Sequence, residues 1–336
     1  MPVANAISPP RPSAETLVGL LRRIQPAPLG VPKSLWNSAL IGPVSEFLNR
    51  PGKRFRGRLV SLAWSLTGRD DDPPPELPLL VELLHAGSLI VDDIEDGSIQ
   101  RRGKAALHRM IGVPTALNIG NWLYFWPQTL LRGLDVPEAT ELELHRLWAD
   151  AVRVCHEGQA LDLTARIGDL HPSEVISVCR VISECKTGAL MGMAAELGAT
   201  AAGGDADVIA AARTFGVRVG VALQMQNDLG ELTGAAGPIK HPEDLIHGRI
   251  TWPWAWASER LPASAFDALQ MRGVKLATGT GDAGALARDL LAALGPDPIG
   301  PVRAALEEAH HDLAAAFGPH PALADVRAEL DRLTRN

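Results

Sequence analysis

The chain has 336 residues, 46% of them apolar and 4% aromatic, and a formal net charge of −7. That length allows one large domain or two ordinary ones, and the acidic balance excludes nucleic acid as the main partner. Three cysteines without CxxC spacing and no apolar run of roughly 18 residues predict a reduced, cytoplasmic protein without zinc, disulfide or membrane span.

Residues 1–12, which include PPRPS, are too proline-rich to fold and are expected to be disordered. From Ser13 onward the chain reads as helix after helix, broken by Pro/Gly punctuation near residues 26–32, 50–54, 68–78, 112–114, 134–139, 168–174, 198–207, 235–244 and 295–301. Between the breaks, apolar residues recur at three and four, as in LLVELLHAGSLIV and EVISVCRVISECKTGALMGMAAELG. Several stretches are apolar nearly all round, which marks helices buried inside a bundle. No alternating run is long enough for a sheet, and no repeat or linker divides the chain. The expectation is a single all-α domain over residues 13–336, a large bundle of about a dozen helices.

Chemistry concentrates between Leu84 and Lys104, LHAGSLIVDDIEDGSIQRRGK. On a helix, Asp92 and Asp96 fall on one face one turn apart, with Asp93 beside them and His85 two turns earlier on that face. Like charges at this spacing repel, and a hard divalent cation such as magnesium, shared with substrate phosphates, resolves the conflict. Arg101 and Arg102 follow, fixed cations of the kind that grip phosphate. Upstream, Pro51-Gly52-Lys53-Arg54-Phe55-Arg56 places a glycine and basic side chains at a helix start, where the backbone and the helix dipole favour an anion. Downstream, Gln159 and Asp162 share one helix face. So do Gln224, Asn227, Asp228 and Glu231 in LQMQNDLGE.

In this order the motifs resemble those of the trans-isoprenyl diphosphate synthases, and most closely the eukaryotic-type geranylgeranyl diphosphate synthases. DDIED with RRG resembles their first aspartate-rich motif, and the similarity runs from Gly52 to Pro253, about 60% of the chain. The resemblance implies the isoprenoid synthase bundle around a deep apolar pocket, up to three Mg2+ ions, isopentenyl and allylic diphosphates as substrates, and a homodimer. It assigns Lys53, Arg56, His85 and Arg102 to the homoallylic diphosphate. Arg101, the Lys186-Thr187 pair, Gln224, Lys240 and Arg249 go to the allylic diphosphate, and Gln159 and Asp162 to the polar rim behind the metal site. Asp92, Asp96, Asp228, Asn227 and Glu231 become metal ligands, and Asp93 joins the catalytic carboxylates. The second motif departs from the family pattern FQIxDDxxD. Asn227 stands for the first aspartate and brings no charge, Glu231 stands for the last, and Arg249 replaces a usual lysine.

The implied reaction is metal-assisted loss of pyrophosphate and attack by the isopentenyl double bond, without a protein nucleophile. Three other readings remain: a terpene cyclase on the same scaffold, a prenyltransferase with another acceptor, and a weakly active regulatory subunit. The cyclase metal triad fails at Glu231 and Ala235, and intact DDIED and RR oppose the regulatory subunit. Gly87 and Ser88 are too small to stop a growing chain at farnesyl length. Tyr124, Phe125 and His156 stand where the resemblance places the floor for a geranylgeranyl product.

Overall fold

A computed structural model of the protein describes Gly19 and residues 27–233 and 242–334. The N-terminal stretch expected to be disordered and Lys240 lie outside the described residues. The fold is all-α. By its internal contacts the chain divides into two compact units. The chain crosses between them three times: at Pro73/Pro74 and Asp135/Val136, within the breaks at 68–78 and 134–139, and at Arg58/Leu59, inside a helix and outside any such break.

The first unit takes the chain to Arg58 and adds Pro74–Asp135. Helix α1 (Gly42–Leu48) leads into α2 (Phe55–Leu66), and α3 (Glu76–Glu95) is its axis. Glu76 in the first turn of α3 suits the helix dipole, and Pro78 is tolerated there because that N–H has no intrahelical partner. Leu77, Leu79, Leu80, Val81 and Leu83 are buried almost completely, each contributing about 1.5–3 kcal/mol. The helix stops at Asp96, and Gly97 takes φ +65°. A hairpin follows, β1 (Gln100–Arg101) antiparallel to β2 (Lys104–Ala105), which the helical reading of the sequence did not include. Its two turn residues, Arg102 (φ +54°) and Gly103 (φ +79°), have the two positive φ angles of a type I′ turn. Arg102 pays about 1–2 kcal/mol for that conformation, strain of the kind stored at functional sites. After α4 (Leu107–Ile111), α5 (Val113–Phe125) packs on α3 through glycines. A Cβ on Gly87 would lie 2.7 Å from Leu123 Cβ and 2.9 Å from Gly120 O.

The second unit comprises Leu59–Pro73 and the chain from Val136 on. In chain order it holds α6 (Glu138–Thr164), α7 (Val175–Ser183), a π-helical turn at Glu184–Gly188, α8 (Ala189–Ala201) and α9 (Ala206–Thr233). A short α10 (Glu243–Ile246) and α11 (Trp252–Arg260) precede α12 (Ala263–Ala277), α13 (Ala283–Leu294), α14 (Gly300–Phe317) and α15 (Ala322–Thr334). Glycines permit close helix approach here. A Cβ on Gly220 of α9 would fall 2.7 Å from Gly188 Cα, and one on Gly158 of α6 would fall 2.5 Å from Lys186 N. Contrary to the expectation from sequence, one helix among the described residues, Ala206–Thr233, is long and apolar enough to cross a membrane, with a mean hydropathy of 1.3 over 18 residues. It packs against α8 and α14, and the polar face at Gln224–Glu231 breaks its apolar character.

Candidate active site

In the first unit the basic and acidic motifs interlock. Arg56 Nη1 lies 3.0 Å from His85 Nε2. A guanidinium only donates, so that nitrogen is bare and the imidazole is neutral with its proton on Nδ1. Burial, then Arg56, Arg102 and Arg101, hold the His85 pKa well below its usual value. Arg102 is pushed down by burial, with Arg101, Arg54 and Arg50 adding repulsion against the pull of Glu82. Glu82, which the sequence reading passed over, takes the Gly57 amide at 2.8 Å, so a carboxylate of the protein occupies the start of α2. Lys53 is exposed, and its carbonyl accepts from Arg58 at 2.6 Å.

Asp93 is fully buried and turned to Arg101, whose Nε donates to Oδ1 at 2.7 Å. Its Oδ2 has no hydrogen-bond partner among the described residues. Arg101 also reaches Asp92 at 3.3 Å, so both aspartates meet the one guanidinium. Asp92 and Asp96 are half-buried, joined through the Asp96 N–H on the Asp92 carbonyl at 2.9 Å.

In the second unit, glycine packing delivers the polar groups. The Gly188–Gly220 contact places Thr187 next to Gln224, one turn further along α9, and Thr187 Oγ1 donates to Gln224 Oε1 at 2.7 Å. Gln224 Nε2 then donates to Asp228 Oδ1 at 2.7 Å, and the Trp252 amide donates to Oδ2 at 3.0 Å. The Trp252 indole is fixed in turn by Ser183 Oγ at 2.9 Å. Gly158 lets α6 approach the π turn, and one turn later Asp162 Oδ2 accepts from both Lys186 (2.7 Å) and Arg249 (3.1 Å). The two cations assigned to pyrophosphate thus share one carboxylate oxygen. Gln159 is half-buried on α6.

Burial, then Asp244, pushes Asp228 up to about 8. Glu231 is raised further by burial and by the Asp244 side chain, against the pull of the Asp244 amide that it accepts at 2.8 Å. Asp244 is a second acid that sequence reasoning missed. Its signal was the ED pair five residues before Arg249. Asn227 is exposed. Among the described residues, no group of three or more His, Cys, Asp or Glu is arranged to hold a metal ion. Mg2+ is commonly held by one or two carboxylates with phosphates and water completing its shell. Asp92 with Asp96, and the charge-crowded Asp228 with Glu231, fit a metal of that kind.

The chain-length residues differ in their surroundings. Gly87 is spent on the α3–α5 contact. Ser88 Oγ donates to the His85 carbonyl at 2.9 Å. Tyr124 is buried, but Phe125 is 65% exposed. His156 is exposed, with Nδ1 2.7 Å from the Val152 carbonyl.

Residues 37–273 match the Polyprenyl synthetase family, and the chain belongs to that family. It is 30% identical to the geranylgeranyl pyrophosphate synthase janG of Penicillium janthinellum over 219 residues, 65% of this chain and 57% of that protein. It is likewise 30% identical to dpasD of Apiospora sacchari, of the same description, over 67% of this chain and 65% of that protein. The chain thus spans 57–65% of the length of these curated relatives. A solved polyprenyl synthase from Caulobacter crescentus, complexed with calcium and isoprenyl diphosphate, superposes with TM-score 0.71 at 26% identity, covering 95% of this chain and 91% of that one. A decaprenyl diphosphate synthase from Rhodobacter capsulatus shares the fold with TM-score 0.78 at 21% identity, over 96% and 95% of the two chains.

Proposed function

We propose that the protein is a trans-prenyl diphosphate synthase that condenses isopentenyl diphosphate with an allylic diphosphate and releases geranylgeranyl diphosphate. The observation that carries this reading is the crowding of Arg56, Arg101 and Arg102 around His85, with Arg56 Nη1 3.0 Å from its Nε2 and Arg102 pushed down by burial and then by the neighbouring arginines. Such a set calls for a polyanion. Lys53, Arg56, His85 and Arg102 bind isopentenyl diphosphate in this scheme. Arg101, Lys186, Lys240 and Arg249 bind the allylic diphosphate, with Thr187 and Gln224 holding the orientation of Asp228. Up to three Mg2+ ions, held by Asp92, Asp96, Asn227, Asp228 and Glu231, would supply charge neutralisation at the departing pyrophosphate. The allylic C–O bond breaks and its electron pair leaves with pyrophosphate. The isopentenyl double bond supplies the pair for the new C–C bond, and a proton is lost to released pyrophosphate. The cationic side chains hold the leaving group without forming a covalent bond to it.

The working assembly in this proposal is a homodimer. Val113, Leu117 and Phe125, exposed along one side of α5, support it. Incubation of the purified protein with Mg2+, labelled isopentenyl diphosphate and dimethylallyl, geranyl or farnesyl diphosphate, followed by product mass, tests the reading. The expected product is geranylgeranyl diphosphate. Consumption of no isopentenyl diphosphate with any primer would remove the synthase, and a cyclic hydrocarbon would point to a cyclase that uses the altered Asn227 motif.

A further inference from the structure

Arg50 carries a full charge yet is 1% exposed, and it lies outside the residues assigned to substrate. A buried guanidinium persists only where its donors find acceptors. Here Nε and Nη2 donate to Glu46 at 3.1 and 2.8 Å, and Nη1 donates to the Arg101 carbonyl at 3.2 Å. Its Cζ lies 5.1 Å from the Phe47 ring centroid, and Arg102 Cζ lies 5.9 Å from the same centroid. Glu46 also takes Lys104 from the second hairpin strand at 3.1 Å. The Arg102 guanidinium packs on Gly52, where a Cβ would come within 3.0 Å. Glu46, Phe47 and Arg50, at the end of α1, therefore grip both strands and the turn of the Arg101–Arg102 hairpin. They do so immediately before the loop that carries Lys53.

A hairpin with two-residue strands and a strained Arg102 does not hold itself. We infer that Arg50 is a positioning residue, which fixes the Arg101–Arg102 hairpin so that both side chains meet bound diphosphate. The inference rests on the diphosphate chemistry proposed above. Arginine is required because its fork serves Glu46 and the carbonyl together, whereas a lysine ammonium on a flexible stem cannot span both.

Full-length wild type, Arg50→Lys and Arg50→Met are compared by amide hydrogen exchange over residues 100–105 and by titration with inorganic pyrophosphate and Mg2+. Steady-state kinetics with isopentenyl and farnesyl diphosphates complete the set. Exchange in the hairpin should quicken in both variants, and pyrophosphate affinity should fall about tenfold, the scale of one charge-assisted hydrogen bond. In an Arg102→Gln background, Arg50→Lys should cost less than about threefold more, because part of what it aims is gone. Unchanged exchange and affinity in Arg50→Lys overturn the inference. So does a fully additive loss in the Arg102→Gln background, which assigns Arg50 to stability alone. If Arg50→Met does not fold, Arg50→Lys and Phe47→Leu, which removes the shared ring, decide it. A wild type that consumes no isopentenyl diphosphate defeats the proposed function, while hydrogen exchange still judges the role of Arg50.

Discussion

Asn227 and His85 are the two residues whose chemistry departs most from what their types suggest. Asn227 withholds one negative charge from a motif in which Asp228 and Glu231 are already raised by burial and by Asp244. If that charge is missing only from metal binding, Asn227→Asp should raise turnover about tenfold, the equivalent of ~1.4 kcal/mol, and lower the Mg2+ requirement with the same product. Steady-state assays across a magnesium series read this directly, and a new product skeleton would assign Asn227 to product choice. His85 is neutral when folded, and its pKa is depressed by burial and by three arginines. Above the ordinary histidine value both folded and unfolded chains leave it neutral. As pH falls below about 6.5 the unfolded chain gains a proton that the folded one refuses, so stability is lost on acidification. Urea unfolding at pH 7 and pH 5 should show a larger drop for wild type than for His85→Asn, and equal drops would count against a buried neutral imidazole.

Helix contacts explain how remote motifs meet. On α9, Gly220 touches the π turn, whereas Gly230 has nothing within 4 Å of an added Cβ. Gly220→Ala should destabilise by about 1–3 kcal/mol and impair activity by shifting Lys186 and Thr187. Gly230→Ala on the same helix should stabilise by roughly 0.5–1 kcal/mol through backbone entropy. Denaturant midpoints for the pair check both signs. These elements also show what was legible in sequence. The i, i+4 carboxylates, the RRG run and the polar face of α9 announce themselves because each pattern is local. Glu82, Asp244, Trp252 and Arg50 did not, because each acts on a group 13 to 51 positions away. The hairpin escaped for another reason: two-residue strands leave no alternation to detect. The π turn at Glu184–Gly188 sits inside a stretch whose apolar period continues on both sides, so its extra residue is invisible to spacing.

At the scale of the molecule, the exposed apolar side of α5 leads to a prediction about assembly. Leu117→Glu with Phe125→Glu should convert a dimer to a monomer in sedimentation, and a double variant that stays dimeric would move the interface elsewhere. The all-α class was readable from composition and period. Of the three crossings between the two units, those at Pro73/Pro74 and Asp135/Val136 fall in Pro/Gly breaks, whereas the one within α2 has no such break.

The clustering of charge has a kinetic consequence. A chain of net charge −7 gathers eight of its 32 lysines and arginines at Arg50, Lys53, Arg54, Arg56, Arg58, Arg101, Arg102 and Lys104. An anion approaching this net-negative protein is drawn toward that basic region, which focuses encounter. Such steering acts over about a Debye length, ~10 Å at 0.1 M salt and ~3 Å at 1 M. The capture rate of isopentenyl diphosphate, read as kcat/KM, should therefore fall steeply with added salt while kcat stays nearly flat. Parallel loss of both would mean that salt weakens the chemistry and not the approach.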